Sequence, residues 1–178
     1  MAGRQTHLAR RFFGALRPGG PSATDTEWVR SVINTEELDV WKRMPGHDRR
    51  HSVQVARDVQ SMLAGTRYAD DQRWIEAALL HDVGKLDARL GVFGRVTATL
   101  AGAAAGHEMA DSWSEKRGIT RKFGLYLRHP ELGASRIRMC GGSKEAALWA
   151  EAHQDPELWP TTGFPDPVID ALTSADDD

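Results

Sequence analysis

Cysteine is almost absent from this sequence, with Cys140 as the single example among 178 residues. One cysteine excludes an internal disulfide, and it excludes a metal site built from several thiolates of one chain. A chain that makes no use of disulfides suits a reducing compartment. We therefore expect a cytoplasmic protein, in which any metal site uses nitrogen and oxygen ligands.

Long hydrophobic runs are also missing. The most apolar stretch, residues 90–106, contains Arg95 and four glycines and is too short to cross a bilayer. The opening residues, RQTHLARRFFGALRPGG, mix arginine with phenylalanine and leucine and lack the continuous apolar centre of a signal peptide. We expect neither a transmembrane segment nor a signal peptide.

The sequence also lacks an excess of positive charge. The formal net charge is −2, whereas a protein that binds a nucleic acid polymer usually carries a strongly basic face. Only residues 1–22 are locally basic, and we interpret them as a mobile N-terminal arm or as a helix that covers the domain. Residues 1–17 have an amphipathic pattern, so a peripheral membrane contact is the less favoured alternative.

Helical patterns dominate the rest of the chain. Apolar residues recur at helical spacing, helix-capping residues precede several segments, and no alternating strand pattern or internal repeat is present. The length suggests one domain, residues 23–178, and the pattern predicts an all-α helical bundle with six or seven short helices. Gly84 is interpreted as a signal that stops the helix before it. The glycine- and alanine-rich stretch that follows has no clear pattern.

Histidines fall at unusual places in this pattern. His51, His81 and His153 lie on, or at the end of, the apolar faces of predicted helices, and His129 comes just before a predicted helix. A buried polar group costs free energy unless it is paired. A divalent cation would pair such groups, because imidazole and carboxylate are its natural ligands. His107 lies in the weakly patterned region and is interpreted as a loop or solvent-exposed residue.

The order of five motifs resembles the HD superfamily of metal-dependent phosphohydrolases. These motifs are RHSVQVAR, LLHDVGK, HPELGASRI, EAHQDP and ALTSAD, and they span residues 50–176. The resemblance implies an all-helical bundle of the HD type with the metal site at its centre. By position it implies the following metal ligands: His51, His81, Asp82, His129, His153 and Asp176. Asp170 and Asp177 are the alternatives for the last ligand.

The chain departs from the family in two places. It has Ala152-His153-Gln154 where a His-His-Glu sequence is frequent, which weakens the expectation of two metal ions. It also has AHQDPELWPTTGFP where the cyclic-dinucleotide branch has a Gly-Tyr-Pro motif, which argues against hydrolysis of cyclic di-GMP.

The activity implied by the resemblance is hydrolysis of a phosphomonoester or phosphodiester of a small metabolite or nucleotide. One or two divalent ions (Mn, Fe, Co, Ni, Zn or Mg) would activate a water molecule. Asp82 would bridge the metals or orient the water, as a catalytic residue. Lys85 would act as a catalytic and phosphate-binding residue, or else only as a cation at a helix end. Arg50 and Arg136 are weaker candidates for substrate binding.

Two other functions fit the same pattern. The HD scaffold is shared by di-iron oxygenases, which also use histidine and aspartate ligands. The domain could instead be a ligand-sensing or binding module that holds a metal without catalysis. The sequence identifies neither the substrate nor the oligomeric state.

Overall fold

The computed structural model describes residues 19–105 and 109–177. Throughout these residues the secondary structure is helical and contains no strand, so the all-α prediction is confirmed. The α-helices are α1 (Ala23–Val32), α2 (Thr35–Arg43), α3 (Gly46–Leu63), α4 (Gln72–Leu80), α5 (Lys85–Ala88), α6 (Val92–Ala105), α7 (Met109–Ser114), α8 (Gly118–Leu127), α9 (His129–Met139), α10 (Lys144–Ala152) and α11 (Asp166–Asp177), and Trp159–Thr162 form a 3-10 helix.

The weakly patterned stretch after Gly84 is helical too. Helices α5 to α8 lie between residues 85 and 127, which gives the protein more helices than the sequence pattern predicted. Their small residues make the apolar periodicity hard to detect, because alanine and glycine mark no distinct face. The basic segment 1–17 and His107 lie outside the described residues, so the interpretations of both stay predictions.

Five helices form a continuous row around the largest apolar core. Helix α3 packs against α11 on one side and α4 on the other, α4 packs against α10, and α10 packs against α9. Trp41 and Trp149 are the largest fully buried side chains of this core. The row brings the ends of several helices to one region in the middle of the molecule.

Helices α5 to α8 form a smaller group beside this row. Helix α8 packs against α5, α6 and α7, and α5 also contacts α9. A second small core, made of Ala88, Leu90 and Ala98, is covered by Phe123 and Tyr126. In the described part of the chain, no helix is both long and apolar enough to cross a membrane.

A tight turn at residues 81–84 separates α4 from α5. The helix before Gly84 ends at Leu80, and Gly84 has a right-handed φ of −66° instead of the left-handed conformation that many helix-ending glycines adopt. Instead, a Cβ on Gly84 would lie 1.9 Å from the carbonyl oxygen of His129 and 2.6 Å from the backbone nitrogen of Gly133. Glycine is required because the backbone of α9 passes directly against this turn.

Candidate metal centre

Six predicted ligands converge in the middle of the bundle. His51 lies on α3 and Asp176 on α11, while His81 and Asp82 form the turn after α4. His129 opens α9 and His153 follows α10. The side chains form two groups that could each hold a metal ion, within which the ligand atoms lie no more than 4.8 Å apart. The first group is His51, His81 and Asp176, and the second is Asp82, His129 and His153.

The first group is centred on the carboxylate of Asp176. Its Oδ1 atom lies 2.9 Å from His51 Nε2 and 3.6 Å from His81 Nε2. Asp170 and Asp177 are exposed on the same helix and belong to neither group. Geometry thus favours Asp176 over the two alternatives. Asp176 lies on the inward side of α11, with the buried residues Ala171, Leu172 and Ala175.

Asp82 faces both groups. Its Oδ2 atom lies 3.5 Å from His81 Nε2. Its Oδ1 atom lies 3.5 Å from His129 Nε2 and 3.6 Å from His153 Nε2. One carboxylate with its two oxygens directed at different imidazole sets has the arrangement expected of a bridging ligand.

The buried imidazoles share one orienting contact. In each, Nδ1 lies within hydrogen-bond distance of the backbone carbonyl oxygen three residues earlier, and in the neutral ring donation from Nδ1 leaves Nε2 with its lone pair. The pairs are His81 with Ala78 at 2.8 Å, His129 with Tyr126 at 2.6 Å and His153 with Ala150 at 2.9 Å. Metal-binding histidines are usually oriented by such a second contact.

Four inward-facing atoms of this centre have no hydrogen-bond partner among the described residues. Nε2 of His81, His129 and His153 and Oδ1 of Asp82 are all buried without one. Buried polar atoms without partners are costly and rare in folded proteins. Imidazole nitrogen and carboxylate oxygen are the ligands of a divalent cation, so these residues fit a metal ion in their chemistry and their geometry.

The charges at the centre are strongly coupled. Burial alone would lower the pKa of His81, but the carboxylates of Asp82 and Asp176 outweigh it and raise that pKa to about 10. Burial lowers the pKa of His129 to about 4, so this imidazole stays neutral. Burial opposes ionisation of Asp82, but the charges of Lys85 and His81 hold its pKa well below the ordinary value.

Lys85 lies at the edge of the centre. Its ammonium group forms an ion pair with Oδ2 of Asp82, and its side chain is 11% exposed. Burial would lower its pKa, but Asp82 raises it, so Lys85 carries a positive charge beside the candidate ligands.

The two arginines predicted for substrate binding engage other groups. Arg136 donates from Nη2 to both carboxylate oxygens of Asp87, at 2.7 and 2.8 Å. Arg50 donates to the carbonyl oxygen of Gly19. These contacts leave the substrate-binding roles of Arg50 and Arg136 as predictions.

Sequence reasoning missed a buried ion pair whose carboxylate acts electrostatically on Lys85. Arg95 on α6 donates from Nη1 and Nη2 to the two oxygens of Asp48 on α3, both at 2.6 Å. His47 lies next to this pair, with Nε2 at 3.3 Å from Asp48 Oδ1. The available signal was a single arginine inside the otherwise apolar stretch 90–106. Its aspartate partner is 47 residues away, so sequence spacing could not identify it.

Comparison with protein-family models, with curated proteins and with solved structures gave no match to this chain.

Proposed function

We propose that this chain is a metal-dependent phosphohydrolase of the HD type, which hydrolyses a phosphate ester of a small metabolite or nucleotide. The observation that supports the proposal most directly is the set of buried, unpaired ligand atoms around Asp82. The order of the HD-like motifs along the chain supports it independently. The six side chains come from five places in the sequence, which makes a chance collection of surface histidines a poor explanation.

The ligand set has a definite chemical use in this proposal. Divalent cations held by the two groups would lower the pKa of a bound water and polarise a phosphoryl oxygen. His129 and His153 would act as imidazole ligands through Nε2, because their orienting contacts direct this atom inward. His51, His81 and Asp176 would hold the other ion.

Asp82 and Lys85 have complementary roles in the proposed reaction. Asp82 remains ionised, so its carboxylate can accept a hydrogen bond from the attacking water and hold the water in line. Lys85 uses one contact for Asp82 and has three N–H donors, so its others can bind oxygens of the phosphate group. A positive charge at this place would also stabilise the charge that develops on those oxygens.

The proposal is tested by measuring metal content and activity in the same preparations. Purified protein is assayed for metal by elemental analysis and then tested against phosphomonoesters and phosphodiesters with Mn²⁺, Co²⁺ or Mg²⁺. We expect hydrolysis by the wild type and its loss in Asp82→Ala. The control is Asp39→Ala, which changes an exposed aspartate on α2 and should leave activity unchanged.

The other outcomes separate the alternatives. Unchanged hydrolysis by a folded Asp82→Ala variant would contradict the proposed mechanism. Bound iron with oxygen-dependent turnover would favour a di-iron oxygenase. Retained metal with no turnover of any phosphate ester would favour a non-catalytic ligand-binding module.

A further inference from the structure

A second polar group adjoins the candidate metal centre. We call His47, Lys85 and Arg95 the cationic wall. His47 and Arg95 contact the carboxylate of Asp48, and the charge of Asp48 also helps to raise the pKa of Lys85. Asp48 and Arg95 are largely buried, with side chains 6% and 12% exposed. Their bidentate ion pair connects the first turn of α3 to α6. Arg95 Nε also donates to the carbonyl oxygen of Leu90 at 3.1 Å. The guanidinium group is therefore held in a fixed position.

The cationic wall has more hydrogen-bond donors than the described residues use. Arg95 has five N–H donors, of which two bind Asp48 and one binds Leu90. Lys85 has three, and its hydrogen bond in the described part of the chain is to Asp82. His47 Nε2 is buried without a hydrogen bond of normal geometry. Donors held in a poorly exposed place and left unused indicate a missing acceptor.

Each cation of the wall contacts one carboxylate. Lys85 and Arg95 are permanent cations, and Asp48 and Asp82 are the carboxylates that contact them. In the proposed function, Asp82 also serves the metal ions. The charge of Asp82 reaches as far as Arg95, whose pKa it helps to raise against the effect of burial. The wall and the metal centre therefore share one electrostatic environment, to which bound metal ions would add positive charge.

The pKa of His47 is influenced by the same charges. Burial is the main reason that its pKa is lowered, and Arg95, Arg50 and Lys85 lower it further although Asp48 acts in the opposite direction. A neutral imidazole can offer an N–H donor to an anion without adding another buried charge.

We propose that the cationic wall binds a second phosphate group of the substrate, next to the phosphate held at the metal centre. The substrate class is then diphosphate esters or bisphosphates rather than simple phosphomonoesters. Phosphate suits the wall because its oxygens can accept several charge-assisted hydrogen bonds at once. The reaction at the first phosphate rests on the proposed function, whereas phosphate binding by the wall does not require a metal.

The first test measures binding and needs no activity. The full chain is freed of metal with a chelator and titrated with inorganic phosphate by isothermal calorimetry. The variant is Arg95→Gln combined with Asp48→Asn, which replaces the buried ion pair by a neutral pair of similar shape. Because charge-assisted donors are lost, we expect the variant to bind phosphate about tenfold more weakly than the wild type.

Two further variants keep this test decisive. His47→Gln should also weaken phosphate binding, and it leaves the buried ion pair intact if the double variant fails to fold. The matched control is Arg138→Gln with Glu151→Gln, which neutralises an exposed ion pair between α9 and α10 and should not change the affinity. Absence of phosphate binding by the metal-free wild type, or equal affinity in His47→Gln and the wild type, would overturn the proposal.

The second test concerns the substrate class. With metal present, kcat/KM is compared for a nucleoside monophosphate and the diphosphate of the same nucleoside. The wild type should favour the diphosphate, and the double variant should lose that preference through a higher KM for the diphosphate alone. A preference retained in the variant would contradict the role of the wall. Failure of the protein to bind metal would instead reject the proposed function and leave the phosphate titration as an independent result.

Discussion

At the scale of single residues, Asp82 connects the two candidate ligand groups with Lys85. It is buried, it is paired with Lys85, and its two oxygens face different sets of imidazoles. A buried carboxylate in such a place is stable only because cations surround it on several sides. Asp176 is less buried, with a side chain 22% exposed, and it closes the first ligand group with His51 and His81.

The identity of the closing ligand gives a residue-scale prediction. Asp176→Asn removes one carboxylate from the first group, so we expect the affinity for Mn²⁺ or Zn²⁺ to fall at least about 100-fold, since even the loss of outer partners of metal ligands costs about 10–100-fold. The affinity is measured by calorimetric titration of metal-free protein.

Asp170→Asn is the matched control because Asp170 is exposed on the same helix. It should bind metal like the wild type. Equal losses in the two variants would show that the metal does not depend specifically on Asp176.

At the scale of elements, the close approach of α9 to the turn at residues 81–84 sets the geometry of the site. Gly84 and Gly133 face each other across this contact. A Cβ atom added to Gly133 would lie 3.2 Å from the backbone nitrogen of Gly84. The contact places the start of α9, and hence His129, beside Asp82. Side chains larger than hydrogen at Gly84 cannot fit unless the two backbones separate.

Gly84→Ala should therefore destabilise the protein by about 3 kcal/mol, as expected of overpacking against rigid backbone. It should also weaken metal binding, because α9 carries a candidate ligand. Urea denaturation measures the stability, and metal titration measures the binding.

The control for this substitution is Gly91→Ala. No heavy atom lies within 4 Å of a Cβ at Gly91, so the change should stay within about 0.5 kcal/mol. A Gly84→Ala variant as stable as Gly91→Ala would refute the packing explanation.

A second contact between elements is sensitive to pH. Glu37 on α2 is buried against Glu76 of α4, and burial together with the facing carboxyl group raises the pKa of Glu37 from 4.5 to about 8. Folded protein then holds a proton that the unfolded chain releases above pH 4.5. This contribution to stability is complete at low pH and is lost as the pH rises to 8, by roughly 1 kcal/mol per pH unit.

Glu37→Gln should remove that slope, because the amide can donate to Glu76 without carrying a proton that titrates. Chemical denaturation at pH values from about 5 to about 8 measures the slope. Glu36→Gln, at an exposed neighbouring position, should keep the wild-type dependence. A slope that persists in Glu37→Gln would exclude Glu37 as its source.

At the scale of the whole molecule, the candidate ligands link parts of the chain that are distant in sequence. His51 and Asp176 are 125 residues apart, yet their side chains lie 2.9 Å apart. A ligand that binds only the folded state stabilises it in proportion to the logarithm of its concentration. A metal ion bound to groups from α3, α9, α11 and the helix ends between them should therefore stabilise the entire row of helices.

Metal removal should consequently lower the midpoint of thermal unfolding. At a free metal concentration of about 100 times Kd, the stabilisation is about 2.7 kcal/mol. For a chain of this size that corresponds to roughly 5–10 °C. Differential scanning calorimetry with and without chelator measures the shift.

Asp82→Ala supplies the comparison at this scale. It should show no change in midpoint on addition of metal or chelator. If wild type and Asp82→Ala responded equally to metal, the stabilising ion would have to bind somewhere else.

The sequence by itself determined the helical class and the chemical character of the candidate ligands. Periodicity reports which side of a helix is apolar, so it could place His51, His81 and His153 at buried faces or helix ends. It could not show which faces meet, because contacts between helices depend on packing across long separations in the chain.

Only the tertiary structure decided which of these side chains come into contact. It placed Asp176 rather than Asp170 beside His51, directed the two oxygens of Asp82 at different groups, and brought Arg95 against Asp48. It also showed four helices between residues 85 and 127, where the alanines and glycines of α6 give little periodic signal. Each of these results arises from the packing of backbones and charges that are far apart in the sequence, and local pattern does not encode that packing.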